Sequence, residues 1–148
     1  SDVCSSDLGA PMIVVDSSAA MSVLLDEEQG DLVMAAIASS DVLHAPALLP
    51  YEVLNVGTGS LRRRNGAGPS IDALMEQFLS WPWAFESHCS LRALAAVAEL
   101  ASRHGLTAYD AAYVELAARR SCPIVTFDDA MRKAARAEGV QVLPKMRG

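Results

Sequence analysis

With 148 residues, 51% of them apolar, the chain has the length of one domain and enough apolar material to fill a core. Charged residues make up 20%, which excludes the composition of disordered chains, and a net charge of -6 argues against an ordinary basic nucleic-acid binder. No apolar run approaches the ~20 residues that span a bilayer, and no basic-then-apolar segment opens the chain, so neither a membrane span nor an export signal is expected.

Residues 1–11 stand apart. SDVCSSDL can be encoded by a sequence that looks like a common sequencing adapter read in frame. Residues 1–11 are therefore expected to be a non-native or disordered leader, with the natural chain starting at Met12 and residues 12–148 forming the domain. Met12–Val15 is a continuous apolar run ending in Asp16, which suits a buried parallel strand. Ser17 and Ser18 offer an N-cap to a helix running to about Glu28, and a second helix is expected over roughly 31–38. Val42–His44 is a short strand closed by Ala45-Pro46. Residues 47–64 then carry a helical pattern stopped at Asn65-Gly66, with another helix over about 70–79. A strand over 83–87 precedes a helical period through Leu91, Leu94, Ala98 and Ala101 that stops at Gly105. Thr107 caps a helix to Arg120, Pro123–Thr126 is a second buried strand, and a helix from Asp128 to about Gly139 leads to a last strand over 140–143. Strands alternating with helices through short loops predict an α/β domain, a central parallel sheet with helices on both faces.

Cys4, Cys89 and Cys122 show no metal-ligand or CxxC spacing, and an odd number cannot all pair, so Cys122 reads as a buried free thiol in a reducing cytoplasm. His44, His88 and His104 are scattered, reading as surface or strand-end residues rather than zinc ligands. The basic residues are clustered: Arg62-Arg63-Arg64, Arg119-Arg120, and Arg132-Lys133 with Arg136.

Four carboxylates fall at informative places. In open parallel sheets ligands bind outside the carboxyl ends of the strands. Asp16 follows the first strand directly, and Asp128 follows the 124–126 strand after Phe127, so both face one rim. Each could equally serve only as an N-cap, with Asp129 able to share that work beside Asp128. Glu52 and Asn55 interrupt an apolar stripe of Leu48, Leu49 and Val56. A carboxylate there either is compensated by a cation or reaches solvent at the stripe's edge. Asp110 stands in a capping-box arrangement with Thr107 and suits the helix dipole. Gathered together, the four would make an all-oxygen site for a hard cation, Mg²⁺ or Mn²⁺. Metal there would also offset the acidic net charge.

Four blocks carry a family resemblance: MIVVDSSAAM, APALLPYEVLNV, HGLTAYDAAYVELA and CPIVTFDDAMRKAARAEGVQVLP. In this order they resemble the signature blocks of PIN domains across Met12–Pro144. LTAYDAAYVELA and the Thr126-x-Asp128 spacing look like the VapC toxin subgroup. The resemblance implies that Asp16, Glu52, Asp110 and Asp128 are the acidic quartet holding Mg²⁺ or Mn²⁺, supported by Ser18, Asn55 and Thr126. It implies an endoribonuclease acting on a structured cellular RNA at a single-stranded loop, a cognate antitoxin covering the acidic pocket, and a homodimer. Arg62, Arg63 and Arg64 are the expected RNA-binding cluster, with a solvated helix end as the other reading. A metal-dependent phosphatase or phosphotransferase would want Asp-x-Asp after the first strand, where this chain has Asp16-Ser17-Ser18. A receiver-like signalling domain would want an acidic pair ahead of a phosphorylatable Asp and a late Lys, neither of which is found. A PIN-type module that only binds RNA or protein would normally have lost one of the acids, and none is lost here.

Overall fold

Five parallel strands lie in the order β3-β2-β1-β4-β5 in a computed structural model that describes residues 11–87 and 89–146. The strands are β1 (Met12–Val15), β2 (Val42–Pro46), β3 (Trp83–Glu86), β4 (Ile124–Val125) and β5 (Val142–Leu143). Seven helices connect them among the described residues: α1 (Ser17–Leu24), α2 (Gly30–Ala38), α3 (Leu49–Arg63), α4 (Ile71–Leu79), α5 (Leu91–His104), α6 (Ala108–Arg120) and α7 (Asp129–Ala137). The chain winds outward from β1 through β2 to β3, then crosses back to β4 and β5. Right-handed crossovers therefore put α1–α4 on one face and α5–α7 on the other. The packing agrees: α1 touches α2, α3 and α4, while α6 lies across β1, β2 and β4 and packs against α5 and α7. This is the expected doubly covered parallel sheet.

The two-layered covering follows from the residues. Val14, Val15, Leu43, Ile124 and Val125 are wholly buried, as strands covered on both faces require. α6 buries seven consecutive residues, Ala111–Ala117, because it is packed between the sheet and both neighbouring helices. Its alanines let it approach the sheet closely, and Tyr113 supplies the bulk. At the edge strand, Trp83 stacks on Phe85 at 5.3 Å and meets Phe78 of α4 in a tilted pair at 4.9 Å, sealing the end of the sheet.

Several local features differ from the sequence reading. α1 is capped by Asp16, whose carboxylate accepts from Ala19 N at 3.0 Å, so neither Ser17 nor Ser18 is the cap. α1 also ends at Leu24, well short of Glu28. The Ser22 carbonyl accepts from Glu27 N at 2.8 Å, Asp26 turns left-handed at φ 52°, and Gly30 presses so closely that a Cβ there would stand 2.7 Å from that carbonyl oxygen. In α3 the buried face runs through Leu49, Val53, Gly57 and Ser60, while Asn55 and Val56 are exposed. Gly57 sets this phase, since a Cβ there would already touch Ile71 and Leu74 of the adjacent helix. Among the described residues no helix is long and apolar enough to cross a membrane. Residues 1–10, including Cys4, and His88 lie outside the described residues. Pro11 is described, and its carbonyl accepts from Asp41 N at 2.8 Å.

Three residues of the basic clusters, Arg119, Arg120 and Arg132, are taken up by the fold. Arg119 pairs with Glu86 and Glu115, and Arg120 with Glu86. Arg132 is buried, 4% exposed, and donates to the carbonyls of Thr126 (2.8 Å), Leu143 (3.3 Å) and Pro144 (2.8 Å). Desolvation pushes its guanidinium down from the ordinary value, with repulsion from Arg136 adding to it. It clamps the carboxyl ends of β4 and β5 together, so it cannot serve as an RNA contact.

Arg132→Met should therefore cost stability. Three carbonyls would lose a charged donor at the sheet's rim, and the expected loss is about 2–3 kcal/mol, read from urea unfolding. An unchanged midpoint would mean that the clamp contributes nothing net.

Candidate active site

Every acid that the sequence singles out lies at the carboxyl-end rim of the sheet, and each belongs to the start of a helix. Asp16 caps α1 after β1, and Asp128 caps α7 after β4, accepting from Met131 N at 2.8 Å. Glu52 is in the first turn of α3 after β2, and Asp110 is in the first turn of α6, whose cap Thr107 accepts from Asp110 N at 3.1 Å. The chain's direction of winding reverses between β1 and β4, which is where open parallel sheets form their ligand crevice. The four helix N-termini also turn partial positive charge toward the acids.

Asp16 is the buried member, 2% exposed. Its Oδ1 accepts from Ser18 Oγ at 2.8 Å and from Ala19 N, and its Oδ2 accepts from Thr126 Oγ1 at 2.6 Å. Thr126 Oγ1 in turn accepts from Asp128 N at 3.0 Å, and Ser18 Oγ accepts from Phe127 N at 3.0 Å. Two hydroxyls thus stitch the end of β1 to the end of β4. Desolvation raises the Asp16 pKa to about 6; the three hydrogen bonds oppose it, and Asp128 adds repulsion. Ser18 and Thr126 are both hydrogen-bonded to the first acid.

Glu52 is half-buried, and neither solvent nor another charge is its first partner. Its Oε1 accepts from the Tyr113 hydroxyl at 2.5 Å. Burial raises its pKa, Tyr113 lowers it, and Asp110 raises it again. Asp110 is raised by desolvation first and then by Asp128, against its bond with Thr107. Asp128 therefore repels both Asp16 and Asp110, and Asp110 repels Glu52. The four carboxylates form one chain of mutual repulsion.

Tyr113 is a site residue that sequence reasoning misses. It is 1% exposed, and its phenol is held far above its ordinary pKa by burial and by Glu52, Asp16 and Asp110. Its position one helical turn after Asp110, on the face toward the sheet, is the only signal the sequence offers. Asn55 is exposed, and with Leu48, Tyr51, Glu52 and Tyr109 it lines a recess beside the acids.

The donor set is all oxygen, as a hard divalent cation requires. Among the described residues no three of the His, Cys, Asp or Glu side chains converge tightly enough to enclose an ion unaided. Asp16 Oδ1 and Oδ2, Glu52 Oε1 and Asp128 Oδ1 are each already hydrogen-bonded. That geometry fits Mg²⁺, which takes one or two carboxylates and keeps several waters. Raised carboxyl pKa values fit too, since a cation would relieve the repulsion that contributes to them. The histidines do not compete. His44 is buried within β2, not at the surface, with its pKa lowered by desolvation and its Nδ1 without a hydrogen bond; His104 Nε2 meets Glu138 at 2.7 Å. Cys122 is buried and free, its thiol pushed up to about 11 by desolvation, and Cys89 is free and exposed.

A rim acid from each of four elements at the switch point of a parallel sheet defines a class, and the chain belongs to the PIN domain family, which matches residues 13–137. Ribonuclease VapC3 of Pyrobaculum aerophilum is 31% identical over 116 residues, covering 78% of this chain and 88% of that protein. Ribonuclease VapC9 of Mycobacterium tuberculosis is 32% identical over 136 residues, covering 90% of this chain and 100% of that one. The crystal structure of PAE2754 from Pyrobaculum aerophilum matches with a TM-score of 0.65 over 90% of this chain and 84% of that chain; at 21% identity this is likeness of fold.

The buried acid gives the metal-free protein a defined pH response. Asp16 binds its proton more tightly in the folded state, at about 6, than in the unfolded chain, where an aspartate titrates at its ordinary 3.8. Its stabilising contribution is thus fully present below pH ~4 and is lost as pH rises through about 6, amounting to about 3 kcal/mol. Glu52 and Asp110 shift in the same direction. In the absence of divalent ions, the melting temperature should fall between about pH 4 and 6, and Asp16→Asn should flatten that fall and melt higher than the parent at about pH 7. Parallel profiles for the two proteins would contradict the burial argument.

Proposed function

We propose that this chain is a metal-dependent endoribonuclease of the VapC type, hydrolysing phosphodiester bonds in structured cellular RNA with Mg²⁺ or Mn²⁺. The carrying observation is the placement of four carboxylates at helix starts around the switch point of the sheet, with the pKa values of Asp16, Glu52 and Asp110 raised there by burial first and by their neighbours second. Relatives named as VapC ribonucleases, aligned over most of this chain, support the substrate.

Asp16, Glu52, Asp110 and Asp128 would hold the cation together, one or two of them directly and the others through its waters. A divalent ion bound there supplies activation of water for in-line attack and neutralisation of the leaving oxygen. The chain's own residues do the rest. Asp16 is locked in orientation by Ser18, Ala19 and Thr126, so one carboxylate stays fixed while exposed Asp128 is freer to follow the substrate. Tyr113 keeps Glu52 turned inward across the site. Thr126 couples Asp16 to the backbone of Asp128, so the spacing between those two acids is set by one hydroxyl.

The same reading includes a cognate antitoxin over the acidic pocket, a homodimeric state and a cytoplasmic location. Its support is the family's VapC-named members and the free thiols of Cys89 and Cys122. Arg62, Arg63 and Arg64 remain exposed at the far end of α3, about 15 Å or more along the helix from Glu52. They would grip the strand away from the cleaved bond.

Asp16→Asn and Asp110→Asn should each lower Mg²⁺- or Mn²⁺-dependent cleavage of a single-stranded RNA by about 10²-fold or more, with melting temperatures kept or raised. Metal-independent cleavage, or normal cutting by either variant, would sink the mechanism. Reversing Arg62, Arg63 and Arg64 to Glu should weaken RNA binding and flatten its salt dependence by about 0.7 in log–log slope for each phosphate that is no longer neutralised. An unchanged slope would leave the cluster as a solvated helix end.

A further inference from the structure

The two most exposed aromatic residues of the described chain stand beside two of the acids. Tyr51 directly precedes Glu52 and is 75% exposed; Tyr109 directly precedes Asp110 and is 66% exposed. They come from different elements, α3 and α6, yet both line one recess of about 270 Å³ with Leu48, Glu52 and Asn55. A second recess, about 320 Å³, shares Leu48 and Tyr109 and continues toward Leu94 and Ala112. Glu52 is therefore common to the acidic site and to the mouth of an apolar trough. Neither tyrosine is buried in the core, and two exposed rings gathered with Leu48 in one recess make the kind of contiguous apolar surface that marks a binding groove.

We propose that the Tyr51–Tyr109 recess is a nucleobase subsite, taking an unpaired base of the RNA strand whose phosphate lies at the acids. The proposal rests on the ribonuclease reading and specifies its substrate as a strand with a base splayed out of the stack next to the cleaved bond. Continuity selects the occupant. A strand held at the carboxylates must carry its neighbouring nucleotide over an adjacent surface, and this recess begins at Glu52 itself. Charge selects which part of the nucleotide enters. The recess is rimmed by Glu52, with Asp110 next to Tyr109 in the chain, so a phosphate is repelled, while a neutral planar ring is not. Aromatic side chains stack on any base, which makes such a platform tolerant of sequence. Asn55 adds an amide with both donor and acceptor at the recess wall, able to read a base edge. A second copy of the chain is the competing occupant, but two-fold pairing across this face would bring two carboxylate rims together.

The test uses the full chain and a short oligouridine carrying one 2-aminopurine, whose fluorescence falls when the base stacks. Ca²⁺ replaces Mg²⁺ so that binding is read without cleavage, and a labelled single-stranded RNA with Mg²⁺ gives kcat and KM separately. The wild-type protein should quench the probe. Tyr51→Ala and Tyr109→Ala should lose the quench and bind roughly ten- to hundredfold more weakly, with KM raised more than kcat is lowered. Tyr51→Phe and Tyr109→Phe should keep both, since stacking needs the ring and not the hydroxyl. Alanine variants that quench and bind as the parent does, or phenylalanine variants as defective as alanine, overturn the subsite. So does light scattering that shows the alanine variants splitting a dimer, which assigns the face to a second copy. Wild-type cleavage with unchanged KM in the alanine variants removes only the subsite; a wild type that neither binds nor cuts RNA removes the ribonuclease reading as well.

Discussion

The Asp16 carboxylate is driven almost completely out of water at the junction of β1 and β4, and the rim of the sheet is arranged around that cost. Burying an unpaired carboxylate is prohibitive, so this one collects a backbone amide and two hydroxyls. Those donors come from both sides of the switch point. Ser18 lies in the first turn of α1 and reaches Phe127 N, while Thr126 ends β4 and reaches both Asp16 and Asp128 N. Satisfying one buried charge thus ties the first strand to the fourth. The short strands β4 and β5, two residues each, gain a side-chain brace that their own ladder is too brief to provide. Arg132 completes it from beneath, holding the Thr126 carbonyl while the Thr126 hydroxyl holds the acid.

Capping and site chemistry are not alternatives here. Asp16 and Asp128 are both N-caps, and Asp110 receives its own cap from Thr107. A helix N-terminus offers partial positive charge that moderates repulsion among the acids, and the acids satisfy amides the helices leave open. Burial raises the pKa values of Asp16, Glu52 and Asp110 first, and repulsion between the acids adds to it, so the caps do not cancel either cost. A site that remains electrostatically unsatisfied after capping is one that still gains from a cation. The fold tolerates this because the strain sits at helix ends on the rim, away from the aliphatic core.

Much of this is legible in the residues, and the failures share a cause. The apolar runs ending in Asp16 and before Asp128, and the stops at Gly105 and Asn65-Gly66, reflect local chemistry that composition displays directly. Only the resemblance to PIN domains marks Ser18 and Thr126 as supporting residues, and the Thr126 bond to Asp16 is made across the sheet, where local pattern does not reach. The early end of α1 is hidden because it depends on Gly30 meeting the Ser22 carbonyl, a contact made only once α2 has packed. The phase of α3 is hidden for the same reason: Gly57, which carries no hydrophobic signal, is the position where α4 comes closest. Arg132 looks like one cation in a basic run, although its helical phase, beside Met131 and Ala135 on the buried face of α7, marks it as interior. Tyr113 and Glu52 pair across different helices, and no local pattern announces a partner that distant.

Once the engaged cations are set aside, the distribution of charge becomes coherent. Arg119 and Arg120 neutralise Glu86 and Glu115 at the sheet edge, Arg103 joins Glu99 and Glu138, and Arg132 is spent on backbone carbonyls. The described residues lining the two recesses beside the site include acids and exposed tyrosines and no Lys or Arg. Such a surface repels a polyanion by long-range charge, and any phosphate must be drawn by a locally bound cation instead. Recognition near the cleaved bond then falls to groups indifferent to charge. Apolar and aromatic walls meet that requirement, and the trough from Glu52 past Tyr109 is where this chain provides them. Affinity from Arg62, Arg63 and Arg64 would act at a distance along the strand, separating how tightly RNA is held from where it is cut.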